Sequence, residues 1–403
     1  MTVTKAVILA AGEGNRMRPL TYTRPKVMLP VAGKPILEHL IVAMSQVGIK
    51  EFLLVVGYRD DQLRKYFADG SNWNVKIQYA DQRKQLGTAD AVRMSKGFAD
   101  GNFVVANGDI IINNADMLSL LNHSRSVMSI IELEDVSGLG VVEVKNGKIT
   151  QIHEKSVNPP SHLANAGLYL FTPDIFKAID NTPKSLRGEY ELTDSIQILV
   201  NSKKTVVYNT LTQWLDLSYP WHLLYANERI MPSLQPCCSG EVEPNAVLKG
   251  AVTIGKGTII RSGAYIVGPV IIGQNCDIGP NCYIRPCTTI GDKCHIGAGV
   301  EIKNSIIMSG AKVPHLSYVG DSIIGEDCNL GAGTKIANLK LTKDRIFIKG
   351  LDTGRRKLGA ILGDKVETGI NASINVGTMI GNNVLIGPGA LAKGVIEPGA
   401  WVF

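Results

Sequence analysis

The chain has no apolar run near the roughly eighteen residues that a membrane helix needs, so no span is expected. It has no Cys-x-x-Cys pair, and all seven cysteines lie at or beyond Cys237. That excludes the common zinc spacings, and 403 residues is too long for a disulfide-stapled scaffold. The thiols read as reduced, as in a cytoplasmic protein. The segment from Lys5 to Ala11 is too short and too soon interrupted for a signal peptide. No long block of like charge occurs, and the net charge is only +6, which argues against nucleic acid as the main partner. Small anionic ligands suit that excess better. With 45% apolar and 19% charged residues over 403 positions, the chain is a globular composition too long for one ordinary domain.

Two common phosphate signatures are also missing. Residues 9 to 26 read Leu-Ala-Ala-Gly-Glu-Gly-Asn-Arg-Met-Arg-Pro-Leu-Thr-Tyr-Thr-Arg-Pro-Lys. No Gly-Lys-Ser/Thr follows, so this is not a Walker loop, and Met17 stands where a dinucleotide fingerprint would have its third glycine. What is present is an apolar strand ending in Leu9, then Ala11, Gly12 and Gly14, whose backbone can bend tightly and turn N–H groups toward a phosphate. Arg16, Arg18, Arg24 and Lys26 follow. By itself such a stretch fits either a polyphosphate cradle or a solvated basic turn.

Strands and helices alternate through the first half. Residues 35–48 carry apolar residues at helical spacing, 51–57 read as a strand, 59–68 as a helix, 75–80 as a strand and 89–98 as a helix. A buried strand at 102–106 closes on Asn107-Gly108-Asp109. This order predicts a mostly parallel, doubly wound (Rossmann-like) α/β sheet with ligands at the C-terminal strand ends. Asp109 sits at such an end, either as an Asx turn or as a carboxylate ligand for a hard divalent cation.

The second half is a repeat. Positions 254, 260, 266, 272, 278, 284, 290, 296 and 302 are all isoleucine, six residues apart. Ile324, Leu330 and Ile336 keep the step, as do Leu362, Thr368, Ile374, Ile380 and Ile386. A strict hexad predicts a β-helix whose isoleucines stack inside a prism. Two gaps, 309–321 and 338–357, are expected to leave the wall as loops. The predicted division is residues 1–228 as one domain, 229–246 as a linker and 247–403 as the β-helix.

The string 9–26 resembles the signature of the sugar-1-phosphate nucleotidylyltransferases. The whole chain resembles the bifunctional glucosamine-1-phosphate acetyltransferase/N-acetylglucosamine-1-phosphate uridylyltransferases, in their shorter archaeal form. The resemblance implies Arg16 and Lys26 as the catalytic cations of nucleotidyl transfer. It places Leu9, Ala11, Gly12, Gly14, Gln82, Gly87 and Thr88 at the nucleotide, and Gly140, Glu154 with Lys155, Asn165 and Thr193 at the sugar phosphate. Asp109 would be a Mg²⁺ ligand, with Asp216 (in Trp214-Leu215-Asp216) or Asn227 as the second. UTP or dTTP would be the nucleotide.

In the β-helix the resemblance makes His315 the base of acetyl transfer from acetyl-CoA, a residue type suited to taking a proton near neutral pH. Arg285, Lys303, Tyr318, Asn329 and Asn338 would bind the sugar phosphate, and Ala332 and Gly387 acetyl-CoA. It further implies a left-handed β-helix assembled as a homotrimer. The sequence departs from the family at Leu339, where a tyrosine is usual, and at Ile370, where a small hydroxyl residue is expected. A single-activity thymidylyl-, uridylyl- or guanylyltransferase with a purely structural β-helix is the alternative.

Overall fold

The computed structural model describes residues 3–154 and 158–403. By contacts the chain divides into two compact units. The first comprises Met1–Glu13, Arg24–Met28 and Ile36–Asp216; the second comprises Gly14–Thr23, Leu29–Pro35 and Leu217–Phe403.

The first unit is built on a nine-stranded sheet. Its opening strand, Lys5–Leu9, pairs in parallel with Glu51–Val56 on one side and Phe103–Asn107 on the other, and Lys76–Asp81 extends the first side. The connections therefore turn opposite ways from Lys5–Leu9, which opens a crevice beyond Leu9 and Asn107. The strands Ala6-Val7-Ile8 and Val104-Val105-Ala106 are wholly buried, as strands covered on both faces must be. The expectation of a mostly parallel sheet is corrected in the other half. Leu163–Phe171 runs antiparallel to Phe103–Asn107 and to Val127–Glu132, and Val141–Lys145 with Lys148–His153 forms an antiparallel hairpin. The turn Asn146-Gly147, with both residues at positive φ, closes that hairpin. Predicted helices begin and end within a few residues of those observed, such as Ile36–Gln46 and Asp61–Phe67. The exception is 89–98, where the helix Thr88–Arg93 stops early.

The second unit is a parallel β-helix with three walls of stacked short strands. Partners lie eighteen residues apart along the chain, as in Ile254↔Ile272 and Ile266↔Ile284. Each isoleucine of the six-residue ladder from 254 to 302 is buried, so every coil covers the apolar face of the next. The ladder begins earlier than expected. Cys237–Cys238 and Glu241–Val242 already pair with the first full coil, so the wall begins inside the segment 229–246 expected as linker. The helix Pro220–Ile230, assigned to the first domain by sequence, belongs to this unit.

The two gaps have different explanations. Across 309–321 no loop leaves the wall. Ile290 pairs with Ile307, Ile296 with Val313 and Ile302 with Val319, each seventeen residues apart. Two hexads, Ile302 to Ile307 and Val319 to Ile324, have each lost a residue, and the phase of the ladder shifts twice while the ladder continues. The gap at 338–357 is an insertion: Ile324 pairs with Leu362 and Ile336 with Ile374, and an antiparallel hairpin of Phe347–Ile348 with Leu351–Asp352 lies between.

One wall has apolar residues on both faces. Outward-pointing Ile306, Ile323 and Ile361 are at most 1% exposed. Segments of the same unit cover this wall, with Asn227 Nδ2 reaching Thr289 Oγ1 at 3.4 Å. A Cβ built on Gly33 would lie 3.3 Å from the Ile271 side chain. No helix among the described residues is long and apolar enough to cross a membrane.

Candidate functional site

In the first unit, the crevice end of Lys5–Leu9 is tied down by backbone bonds. Gly108 N–H donates to Leu9 O at 2.9 Å, and a side chain at Gly108 would meet that oxygen and Val27. Ala11 O accepts from Gln85 Nε2 at 2.9 Å and from Tyr58 N–H at 3.3 Å. At Gly12 an added Cβ meets no atom within 4 Å, so no described neighbour demands glycine there. An open position of that kind leaves room for a ligand to approach the backbone.

The expected nucleotide-side residues hold one turn together. Gln82 is buried, and its amide donates to Gly87 O at 3.1 Å and Asp90 Oδ2 at 3.0 Å. Gly87, at φ +110°, lies under the Tyr190 backbone, where a Cβ would stand 2.4 Å from its oxygen. Thr88 Oγ1 accepts from Leu192 N–H at 2.9 Å, which locks the start of the helix Leu192–Asn201 to this turn.

Lys26 is 9% exposed and pairs closely with Asp109. Trp214–Asp216 runs antiparallel to Ile110–Ile112 with Asp216 opposite Ile110, so two carboxylates sit at one end of this ribbon. Two carboxylates completed by phosphate oxygens and water are a donor set that fits Mg²⁺. Among the described residues no group of three or more His, Cys, Asp or Glu could hold a metal. Asn227 is otherwise engaged: wholly buried in the second unit, it accepts the Ala32 N–H at 2.6 Å through Oδ1. Its amide is taken up within the second unit, which tells against it as a ligand beside Asp216.

Four residues expected at the sugar come together, though 53 positions separate the first from the last. A Cβ on Gly140 would lie 2.9 Å from Glu154 Oε2 and 3.8 Å from Asn165 Cβ. Gly140 O accepts Asn165 N–H at 2.8 Å, and Thr193 Oγ1 donates to Glu154 Oε2 at 3.3 Å. Sequence reasoning missed Arg187, whose Nη2 lies 3.6 Å from Glu154 Oε1 and 2.7 Å from Glu191 Oε1. It also missed Tyr169, whose hydroxyl bonds Asn165 at 2.8 Å. Burial pushes the Tyr169 phenol well up, keeping it a protonated partner. Lys155 lies outside the described residues.

Arg16 and Gly14 belong to the second unit. Gly14, at φ +65°, opens a single 3₁₀ turn, Asn15–Met17, and the exposed Arg16 guanidinium stands 5.5 Å from the Tyr219 ring centroid.

On the β-helix, Lys303, Tyr318 and Asn338 converge on Asp321. Its carboxylate is 3% exposed and accepts from Lys303 Nζ at 3.0 Å, Asn304 Nδ2 at 2.8 Å and Asn338 Nδ2 at 2.5 Å. Asn338 Nδ2 also lies 3.3 Å from the Tyr318 hydroxyl. Burial first, then the Asp321 and Glu301 carboxylates, raises the Tyr318 phenol above its ordinary value. Arg285, on the neighbouring coil, pairs with Glu301 at 2.8 Å, and Glu301 stands opposite Tyr318 in the wall. Asp321 and Glu301 carried no sequence signal of this role.

His315 is exposed in the corner between Lys312–Val313 and Tyr318–Gly320, with Gly297 stacked beneath its backbone. Its ring makes no hydrogen bond to the described residues. Asn329 is exposed on the wall of Lys312–Val313, bridged to Lys312 and Glu367. Ala332 O accepts Asn371 N–H at 2.8 Å, and Gly387 lies beneath Phe403. Neither joins the Asp321 group.

The nucleotidyl transferase family model matches residues 5–231, and a GMPPB C-terminal domain model matches residues 266–375. The chain is 39% identical to Bifunctional protein GlmU of Methanococcus maripaludis and 40% identical to the protein of that name in Methanocaldococcus jannaschii. Each match covers 99% of this chain and 97% of the relative. A bifunctional sugar-1-phosphate nucleotidylyltransferase/acetyltransferase of Sulfurisphaera tokodaii is 37% identical over 96% of this chain and 97% of its own. Among solved structures, a UDP-glucose pyrophosphorylase complexed with UDP-glucose is similar in fold, with TM-score 0.51 and 24% identity over 56% of this chain and 98% of that one. A putative glucose-1-phosphate thymidylyltransferase from Bacillus anthracis has TM-score 0.52 and 28% identity over 56% of this chain and 94% of that one. The chain therefore belongs to the family of bifunctional sugar-1-phosphate nucleotidylyltransferases/acetyltransferases.

Proposed function

We propose that the chain N-acetylates glucosamine 1-phosphate, or a near isomer, from acetyl-CoA, and joins the product to UTP or dTTP with release of pyrophosphate. The observation that carries this reading is that one chain holds two separate polar constellations, each assembled from residues far apart in sequence. In nucleotidyl transfer a sugar-phosphate oxygen attacks the α-phosphorus, and the bond to the bridging oxygen of the β-phosphate breaks. No protein nucleophile is required, so catalysis consists of placement and charge. Lys26 balances the attacking and α-phosphates, and Arg16 the departing pair. Glu154, held by Thr193 and Arg187, accepts sugar hydroxyls beside Gly140. Asp109 and Asp216 would hold a Mg²⁺ ion, which would supply positive charge to the triphosphate oxygens.

In acetyl transfer the sugar amine attacks the thioester carbonyl, the C–S bond breaks, and His315 takes the amine proton. Lys303 and Arg285 face the sugar's phosphate, and Tyr318 and Asn338 orient its ring. The exposed apolar side chains Leu316, Ile370 and Leu391 on the β-helix support assembly of several copies, a homotrimer in our reading. A cytoplasmic location agrees with these substrates. The deciding experiment is a matrix of sugar 1-phosphates against four nucleoside triphosphates, each with and without acetyl-CoA, reading pyrophosphate and free thiol. Pyrophosphate without any thiol release would favour the single-activity alternative, toward which the GMPPB C-terminal match points.

A further inference from the structure

The loop that carries Arg16 is anchored on the β-helix. Gly14–Thr23 clusters with Leu217–Phe403, and Thr23 donates its hydroxyl to Asp364 Oδ2 at 2.5 Å. Asp364 follows the strand Ala360–Leu362 at a corner of the prism and is only 6% exposed. A second corner separates its two contacts. Asp292, after Thr288–Ile290 on the same wall, is exposed and uses Oδ1 to accept the Gln274 N–H at 2.7 Å. Asp364 does the same for Glu326 N–H at 2.9 Å, again through Oδ1. Capping the preceding coil thus takes one carboxylate oxygen, and in Asp364 the other reaches the loop.

The rest of the loop is organised to transmit that contact. Thr21 Oγ1 donates to Gly14 O at 2.9 Å, closing the loop on itself, and Met17 and Leu20 are at most 1% exposed. Arg18, Pro19 and Tyr22 line a small cleft with Met379 and Val395 of the wall and Lys349 of the inserted hairpin. Arg16 lies in the single turn between these fixed points.

We infer that Asp364 is a positioning residue for nucleotidyl transfer: through Thr23 it fixes the turn that presents Arg16. The inference rests on the role proposed above for Arg16. A cation displaced by about an ångström from a departing phosphate loses much of its effect on rate. Replacing Thr23→Val should lower kcat for pyrophosphate release about tenfold, the worth of one hydrogen bond to a carboxylate, with KM for the sugar phosphate little changed. Thr23→Ser should restore turnover. Adding Thr23→Val to Asp364→Ala should cost nothing further, because both remove one contact. Thiol release from acetyl-CoA should be unchanged by the Thr23 substitutions. Asp364→Ala also removes the Glu326 cap, so the Thr23 pair carries the test if that variant fails to fold.

Wild-type kcat in Thr23→Val, failure of serine to restore it, or an equal fall in acetyl transfer would each overturn the tether. Arg16→Ala is the control. Turnover indifferent to Arg16→Ala brings down the role of Arg16 and the tether with it, whereas Arg16-dependent turnover untouched by Thr23→Val brings down the tether alone.

Discussion

Lys26 and Asp109 are 83 residues apart and form a close, largely buried ion pair. On the role proposed for Lys26, a triphosphate would compete with Asp109 for the ammonium. Lys26→Ala should reduce pyrophosphate release about 10²–10³-fold, the range for removing one preorganised donor, and leave thiol release unchanged; loss of both would contradict the assignment. His315→Ala should do the reverse. Thiols separate by burial: Cys237 and Cys238 are exposed, while burial pushes Cys282 and Cys328 up to about 12. A thiol reagent at pH 8 should label the adjacent pair quickly and reach Cys276, Cys282, Cys294 and Cys328 only after unfolding; rapid labelling of more than three would count against the packed coils. Residues such as Gly140, Glu154, Asn165 and Thr193 were legible because a motif preserves their order along the chain. Arg187 and Asp321 were not, because a side chain that meets its partner across the fold leaves no periodic trace.

At the scale of elements, the hexad was readable because an inward isoleucine every sixth position has one geometric cause. Removing one should be expensive. Ile302→Ala should lower unfolding free energy by roughly 2–5 kcal/mol, measured by denaturant titration, whereas Leu341→Ala on the exposed insertion should change it by less than about 0.5 kcal/mol. The seventeen-residue coils were not readable in the same way. A lost residue and an extruded loop both interrupt a spacing, and only strand pairing tells them apart. The doubly apolar wall did carry a signal, in the consecutive apolar residues Val270-Ile271-Ile272, Ile306-Ile307 and Ile323-Ile324. Consecutive apolar residues in a flat strand imply cover on its outer face.

At the scale of the molecule, the domain boundary expected from sequence near residue 228 is a single cut, close to the end of the family match at 231, whereas the chain passes between the two compact units five times. Composition changes once, near Glu243-Pro244, so a linear reading finds one seam. Short segments such as Leu29–Pro35 are too brief to show where they pack. In solution the proposed trimer predicts a light-scattering mass three times the 43.5 kDa chain, and a monomer at micromolar concentration would remove that reading.

That Gly14–Thr23 and Leu29–Pro35 group with the β-helix unit has a consequence for engineering. Dividing the chain after Asp216 would not yield two self-sufficient pieces, since the N-terminal piece would still carry the second unit's Gly14–Thr23 and Leu29–Pro35. No single break separates the two units, and swapping in a foreign β-helix would also mean redesigning Gly14–Thr23 and Leu29–Pro35 to pack against it.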